Sequence, residues 1–204
     1  MQLLANTTSP FVRIARVALI EKGLEIEPTI VDPWADDPRL REANAATRVP
    51  TLITDDGTPL PESLLIVQWL ERERPPPEYP SLLGEDALGT LSRAGIALGV
   101  IDAAVHTIIT RKSTAPVLFD ETPVGLRRRR TMAEGMGRLE DIAQRVPLAA
   151  NGAAPTLDAI CAVVALDYLR FRFADAPWMP QLSALDALSE RLRERASFGK
   201  TMPC

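Results

Sequence analysis

The sequence contains few of the residues that most often bind metals or carry redox chemistry. Its 204 residues include one histidine, His106, and two cysteines, Cys161 and Cys204. The two cysteines form no CxxC pair, and together with one histidine they cannot supply the four ligands of a structural zinc site. We therefore predict no metal cofactor. Any hydrolase mechanism that requires a histidine base would have to use His106.

The sequence also lacks an excess of positive charge and long apolar runs. It has 23 Lys and Arg against 27 Asp and Glu, a formal charge of −4. This balance disfavours nucleic acid or an anionic membrane as the main partner. No apolar run reaches the roughly 18 residues of a membrane-spanning helix. Residues 1–6 lack the basic and apolar segments of a secretory signal. We therefore expect a cytoplasmic protein without structural disulfides.

What the sequence does have is an ordinary apolar content and many prolines. Apolar residues make up 46% of the chain, and 18 residues are prolines, about twice the usual share. Many of the prolines mark element boundaries, and the segment 74–80, RPPPEYP, is too stiff to be helical. We predict a first domain at 1–74, a linker at 75–85 and a second domain at 86–204.

The residues before the linker alternate between strand and helix patterns. Ser9 and Pro10 are typical of a helix start, because serine caps the first turn and proline fits its first position. Gly23 is typical of a helix end. A strand–helix–strand order favours a parallel pair with a right-handed crossover. The predicted elements are a strand at 2–5, a helix at 10–22, a strand at 25–31, a short helix at 38–43, a hairpin of strands 51–54 and 58–60, and a helix at 62–72.

After the linker only helix patterns occur. They lie at 86–112, 122–146, 156–173 and 181–195. The third pattern is almost entirely apolar between positions 159 and 166, so we predict that it is the buried central helix of this half. The predicted fold class is therefore an α/β domain followed by an all-α domain.

Three short motifs lie in the first half, in a fixed order. TSPFVR at 8–13 lies between a strand and a helix, RVPTL at 48–52 precedes a strand, and Glu-Ser at 62–63 begins a helix. With these motifs and the linker, the sequence resembles the soluble glutathione transferase (GST) superfamily, in which a thioredoxin-like domain precedes an all-helical domain. The resemblance covers essentially the whole chain, including SFGKTMP at 197–203. The S-P-F-V-R opening is similar to that of a bacterial branch of the superfamily.

Ser9 is the predicted catalytic residue, because the resemblance implies that its hydroxyl hydrogen-bonds the sulfur of glutathione. Pro10 has no N–H, so the free donors expected at this helix start are those of Phe11 and Val12. Such donors and the helix dipole favour an anion, and a helix N-terminus lowers a thiol pKa from about 8.5 towards roughly 3.5–7.5. We include Phe11 among the glutathione-binding residues. The alternative for Ser9 is a helix cap without a catalytic role. The nearby polar substitutes are Thr8 and Asn6.

The segment Arg48-Val49-Pro50 is the second part of the predicted site. Pro50 resembles the superfamily's cis-proline, and the resemblance implies that the backbone N–H and C=O of Val49 pair with the backbone of glutathione. Such pairing is strand addition in miniature. Arg48 precedes it and could reach a carboxylate of the ligand. The alternative for Arg48 is a cation that faces solvent from a loop.

Glu62 and Ser63 resemble the acidic–polar pair that holds the γ-glutamyl end of glutathione. The carboxylate of Glu62 suits an ammonium group, and the N–H and hydroxyl of Ser63, at a helix N-terminus, suit a carboxylate. A capping pair alone is the alternative. Trp34 lies in the irregular segment beside this site. Its ring either lines the glutathione groove or packs on the domain.

Asp102, His106 and Arg111 are the candidates for the substrate pocket. His106 lies in the middle of a predicted helix, on the stretch that faces the cleft between the domains in the superfamily. Asp102, one turn earlier, shares its face. Arg111 could lie at the rim of the cleft. For a lone histidine among apolar neighbours, the alternative is a packed residue.

The resemblance implies a homodimeric enzyme that uses glutathione as a co-substrate and adds its thiol to a small electrophile. Two alternatives share the fold: a glutathione-dependent isomerase, lyase or dehalogenase, and a binding subunit without turnover. We expect neither nucleic acid nor a membrane as a partner. A thiol–disulfide reductase is disfavoured, because no cysteine lies at positions 6–12 to form a mixed disulfide.

Overall fold

The computed structural model describes residues 1–116, 118–149 and 152–203. Its contacts divide the chain into two compact units. The first unit comprises Met1–Leu82 and Arg193–Cys204, and the second comprises Leu83–Leu192. The predicted boundaries assign the last twelve residues to the helical domain, whereas the contacts group them with the first unit.

The first unit is a four-stranded sheet with helices, in the α/β order that the sequence predicts. The strand order is β2-β1-β3-β4. Strand β1 pairs in parallel with β2 and antiparallel with β3, which pairs antiparallel with β4. The elements are β1 Gln2–Ala5, α1 Pro10–Glu21, β2 Pro28–Ile30, α2 Pro38–Ala43, β3 Thr51–Ile53, β4 Pro59–Pro61 and α3 Ser63–Glu73.

Local signals explain where α1 begins and ends. The side chain of Ser9 caps its first turn, and Gly23 follows it with φ +74°, a conformation that glycine adopts at little cost. Strand β2 is shorter than the predicted 25–31. Strand β1 begins at Gln2 and pairs Leu3 with Pro28, so the residues before Pro28 have little strand left to pair with.

The second unit is entirely helical in its described part. Helix α6 is its core, because every residue from Leu157 to Leu169 is buried, as the apolar pattern predicts. Helix α4 packs against both α5 and α6. The elements are α4 Ala87–Thr114, a 3-10 helix Phe119–Glu121, α5 Pro123–Arg145, α6 Leu157–Arg172 and α7 Ser183–Arg193. The sequence did not predict the 3-10 helix, nor the short α8, Ala196–Gly199, of the first unit.

Helix α4 is by length and composition apolar enough to cross a membrane. The core helix of a soluble protein passes the same test, and 39% of the most apolar stretch of α4 is buried. The expectation of a chain without a membrane-spanning helix therefore stays a prediction.

Candidate functional site

The loop before α1 is held by the side chain of Asn6. Its Oδ1 accepts hydrogen bonds from the backbone N–H of Thr8 at 3.1 Å and from the hydroxyl of Thr8 at 2.9 Å. The carbonyl of Asn6 accepts the N–H of Ser9 at 3.2 Å. Asn6 and Thr8 therefore satisfy each other, which leaves the hydroxyl of Ser9 as the polar group at the helix start.

Ser9 caps α1, and the cap changes which donors remain free. Its Oγ accepts the N–H of Val12 at 3.3 Å. The prediction that the N–H groups of both Phe11 and Val12 are free is therefore wrong for Val12. The N–H of Phe11 has no partner within the described chain. Because Ser9 Oγ accepts through a lone pair, its own hydrogen remains able to donate to a ligand.

The Val49–Pro50 peptide bond is cis, as the resemblance implied. The carbonyl of Arg48 accepts hydrogen bonds from Asn44 Nδ2 at 3.1 Å and from the hydroxyl of Thr51 at 2.9 Å. By contrast, the N–H and C=O of Val49 have no hydrogen-bond partner among the residues that the structure describes. Val49 thus offers one donor and one acceptor to an extended ligand, since backbone groups of this kind are usually paired.

Asn44, which belongs to none of the three sequence motifs, also contributes to this loop. The residue is buried, and its amide donates to the carbonyl of Arg48 and, at 3.2 Å, to the hydroxyl of Thr51. Asn44 thereby fixes the backbone on either side of Val49. Only its burial marks it, and no local pattern predicts that burial for an asparagine.

Glu62 joins the start of α3 to the same loop. Its N–H donates to the carbonyl of Pro50 at 3.2 Å, and its φ of +71° lies in the left-handed region. A non-glycine residue held in an unfavourable backbone region costs about 1–3 kcal/mol, and such residues cluster at functional sites. The side chain of Glu62 does not cap α3. This conformation therefore leaves the carboxylate free for another partner.

Ser63 is the first residue of α3, and it is almost completely buried. Its hydroxyl has no hydrogen-bond partner in the described part of the chain. An unpaired hydroxyl and the positive end of a helix lie together at this position, an arrangement that suits a carboxylate.

Arg48 and Glu62 form a loose ion pair across the site. Arg48 Nη1 lies 3.9 Å from Glu62 Oε1, and the two side chains are 69% and 52% exposed. Exposed pairs of this kind contribute little to stability, roughly 0–1 kcal/mol. Both charges thus remain available, Glu62 for an ammonium group and Arg48 for a carboxylate.

Trp34 is 71% exposed, so the alternative that its ring packs on the domain is wrong. Its backbone N–H donates to Asp32 Oδ1 at 2.9 Å, which fixes the turn but not the ring. A role for Trp34 in a glutathione groove stays a prediction.

In the second unit, the structure brings Asp102 and His106 together. His106 Nε2 lies 3.3 Å from Asp102 Oδ1, and the two side chains are 45% and 65% exposed. His106 is therefore an accessible surface group rather than a packed one. A carboxylate beside an imidazole can accept its N–H and so orient the ring.

Arg111 does not share the face of His106. Their separation of five positions corresponds to a rotation of about 140° around the helix. Arg111 Nε instead donates to Asp120 Oδ1 at 2.8 Å, and its guanidinium lies 4.9 Å from the centre of the Phe173 ring. The hydrogen bond from Arg111 lowers the pKa of Asp120 and raises that of Arg111. The structure therefore assigns Arg111 to an ion pair.

Neither metal chemistry nor thiol chemistry has an evident centre in the described residues. They contain no group of three or more His, Cys, Asp or Glu side chains that could hold a metal ion. Cys161 is fully buried in α6, and burial, with a smaller contribution from the charge of Asp158, raises the pKa of its thiol. A thiol that stays protonated is a poor nucleophile.

The sequence and the fold both match known proteins. Residues 8–73 match the family model described as the glutathione S-transferase N-terminal domain. A crystal structure of a glutathione S-transferase from Methylobacterium radiotolerans, in complex with glutathione sulfonate, is 31% identical to this chain. The match covers 99% of this chain and 94% of that protein, with a TM-score of 0.82.

Two further proteins are similar over their whole length. A glutathione S-transferase structure from Methylobacillus flagellatus, with glutathione bound, is 26% identical to this chain. The match covers 100% of this chain and 99% of that protein, with a TM-score of 0.86. The uncharacterised GST-like protein YibF of Escherichia coli K12 is 28% identical over 206 residues, which are 100% of this chain and 98% of YibF.

Proposed function

Because the chain belongs to the glutathione S-transferase superfamily, we propose that it activates the thiol of glutathione and adds it to a small electrophile. The observation that carries this proposal is the unpaired backbone of Val49, together with the unpaired hydroxyl of Ser63 and the exposed carboxylate of Glu62, whose pair with Arg48 is loose. These groups match the peptide backbone, carboxylate and ammonium of glutathione.

The peptide part of glutathione binds through backbone and charge complementarity. Val49 pairs with the cysteinyl backbone as an added strand would. Glu62 receives the ammonium and Ser63 the carboxylate of the γ-glutamyl end, while Arg48 neutralises the other carboxylate. The side chains of Phe11 and Trp34 line the groove.

The thiol of glutathione lies at the start of α1 in this proposal. Ser9 donates its hydroxyl hydrogen to the sulfur, and the N–H of Phe11 and the helix dipole add positive potential. A serine cannot remove a proton at neutral pH without a basic partner, so Ser9 acts by stabilising the thiolate. Lowering the thiol pKa raises the fraction of the nucleophilic form at neutral pH.

The electrophile binds beside Asp102 and His106 of α4 in this proposal. The imidazole is accessible, and its Nε2 faces the carboxylate of Asp102. Its Nδ1 is then left to accept a hydrogen bond from an O–H or N–H group of the electrophile, because a neutral imidazole has one donor and one acceptor nitrogen. We leave Arg111 out of the pocket, because Asp120 and the ring of Phe173 occupy its guanidinium.

We further propose that the protein is a cytoplasmic homodimer. Helix α3 exposes Leu64 and Leu65, and helix α4 exposes Leu88 and Leu91. Exposed apolar side chains on both helices favour an isologous contact with a second copy. Light scattering at micromolar concentration should give twice the 22.3 kDa chain mass. A monomer would contradict the proposal.

Ligand truncation tests the glutathione site without altering the protein. Calorimetry should show that glutathione binds, and that the dipeptide Cys-Gly, which lacks the partner of Glu62 and Ser63, binds at least tenfold more weakly. An aryl halide and an α,β-unsaturated carbonyl then serve as electrophiles in a conjugation assay. Equal affinity for both peptides would remove the site. Glutathione binding with no turnover of any electrophile would favour the binding-subunit alternative.

A further inference from the structure

The last residues of the chain lie along α1, the helix that begins at Ser9. We call residues 193–203 the C-terminal brace. At the far end of α1, Arg195 donates two hydrogen bonds to the carboxylate of Glu21, at 2.9 and 2.7 Å. Ser197 also donates to Glu21, and Lys200 pairs with Glu25 just beyond the helix. The brace is thus anchored at the C-terminal end of α1.

At its other end the brace reaches Arg13. The side chain of Arg13 is buried, with 5% of the residue exposed. Its Nε donates to the hydroxyl of Thr201 at 3.4 Å, and its Nη2 donates to the sulfur of Met202 at 3.2 Å. Its guanidinium lies 6.0 Å from the centre of the Phe198 ring, which is completely buried. A hydroxyl, a sulfur and an aromatic ring therefore fix one side chain of α1.

Arg13 lies one helical turn after Ser9, and its N–H donates to the carbonyl of Ser9 at 3.1 Å. The first turn of a helix lacks the hydrogen bonds of its interior, and it opens more easily than the interior. Side chains on a helix lean toward its N-terminus. A side chain that is held at position 13 therefore restrains the turn from Ser9 to Arg13.

We infer that the C-terminal brace, through Thr201 and Arg13, is a positioning element that holds the first turn of α1 so that the Ser9 hydroxyl stays directed at the thiol of glutathione. The inference rests on the proposed function for its chemical consequence. Arg13 and Thr201 are positioning residues, since neither touches the ligand in this arrangement.

The first arm of the test uses the protein without ligand. Thr201→Val keeps the shape of the side chain and removes the hydroxyl, which also donates to the carbonyl of Ser197 at 2.7 Å. Arg13→Lys keeps the charge and removes the planar fork. Amide hydrogen exchange at Val12, whose N–H donates to Ser9 Oγ, should become about tenfold faster in both variants. Lys200→Ala is the matched control, because its exposed pair with Glu25 lies in the same brace, and its exchange should stay within about twofold of wild type.

The second arm measures the pKa of bound glutathione by the ultraviolet absorbance of the thiolate. Both variants should raise this pKa by about half a unit to one unit, so that less of the bound thiol is ionised at neutral pH. The KM for glutathione should stay within about twofold, because the peptide contacts lie elsewhere. A brace that is only structural would lower the melting temperature and leave the thiol pKa unchanged.

The outcomes separate this inference from the proposed function. If exchange at Val12 is unchanged in Arg13→Lys, the inference is overturned whatever the ligand. If exchange rises but the thiol titrations overlay, positioning is overturned and the brace only stabilises the unit. If wild type does not bind glutathione at all, the proposed function fails, and the first arm alone decides whether the brace holds the turn.

Discussion

The starts of helices α7 and α3 differ in whether the protein itself supplies partners for their polar groups. At the start of α7, the carboxylate of Glu140 on α5 accepts the N–H groups of Ala184 and Leu185, at 2.8 and 3.0 Å. At the start of α3, no side chain caps the helix, and the hydroxyl of Ser63 is unpaired within the described residues. A helix start leaves donors that something must satisfy. The protein itself satisfies the start of α7, whereas the start of α3 keeps a buried hydroxyl open, which a ligand carboxylate can pair with.

The largest effect is expected at Glu140, because its carboxylate is almost completely buried. Glu140→Ala would leave the N–H groups of Ala184 and Leu185 without their acceptor. A buried donor without a partner costs about 1–3 kcal/mol, so we expect a loss of about 3 kcal/mol in the free energy of unfolding. Denaturant unfolding measures it. Glutathione affinity should not change, and a change would mean that the two helix starts are not independent.

Glu140 also predicts a pH dependence. Burial raises the pKa of its carboxyl, but the hydrogen bonds from Ala184, Leu185, Gln144 and Ser183 outweigh burial and lower it. A lowered pKa in the folded state means that the contribution to stability is present above the unfolded pKa, about 4.3. It is lost as the pH falls through the folded pKa. Glu140→Gln should unfold with a weaker pH dependence in this acidic range than wild type does.

At the open helix start, Glu62→Ala should weaken glutathione binding and spare the fold. The variant loses an ion pair to the ammonium, at a cost of about 1.5–3 kcal/mol in binding free energy. Calorimetry measures the loss. Glu73→Ala is the matched control, because Glu73 is exposed at the other end of the same helix. Equal affinity of Glu62→Ala and wild type, with both folded by circular dichroism, would assign Glu62 to backbone geometry alone.

Ser9 is both a helix cap and an open donor. Its Oγ caps α1, and its hydroxyl hydrogen is still free to donate to a ligand. Ser9→Ala removes one charge-assisted hydrogen bond of about 1.5–3 kcal/mol, which corresponds to roughly one to two pKa units of the bound thiol. The thiolate absorbance should therefore appear at higher pH, with glutathione affinity nearly unchanged. If the titration overlays that of wild type, Ser9 is a cap only. Thr8 and Asn6 bond to each other, so they would be replaced together in the next variant.

The smallest effect on stability is expected at His106. The side chains of His106 and Asp102, which pair with each other, are both exposed. His106→Gln should therefore change the free energy of unfolding by less than about 0.5 kcal/mol. The KM for the electrophile should rise several-fold, while the KM for glutathione stays the same. Steady-state kinetics with each substrate varied in turn measures the two constants. An unchanged KM for every electrophile would remove His106 from the pocket.

Much of the fold could be predicted because its signals are local. Ser9 and Pro10 mark the start of α1, Gly23 marks its end, and the apolar run of α6 marks the buried core of the second unit. Each signal depends on a few neighbouring residues, whose capping and backbone preferences act wherever the chain goes. The 3-10 helix at Phe119–Glu121 has no such signal and was not predicted.

The candidate site was predictable in its residue types but not in its pairings. The motifs around Ser9, Val49 and Glu62 follow from the resemblance, and the structure joins the last two through the hydrogen bond from Glu62 to Pro50. Two pairings were not predicted: the N–H of Val12 bonds to Ser9, and Arg111 pairs with Asp120. Both depend on side-chain rotamers and distances. Residue order alone does not specify these.

The sequence by itself determined the order of the strands and the longer helices, and the residue types of the site. Only the tertiary structure decided which polar groups are satisfied and which are left open. It also returned the last residues of the chain to the first unit, where Thr201 meets Arg13 across 188 positions. The physical reason is the sequence separation over which each effect acts. Capping and periodicity act over one or two helical turns, whereas a contact between residues far apart in sequence forms only after the core has packed.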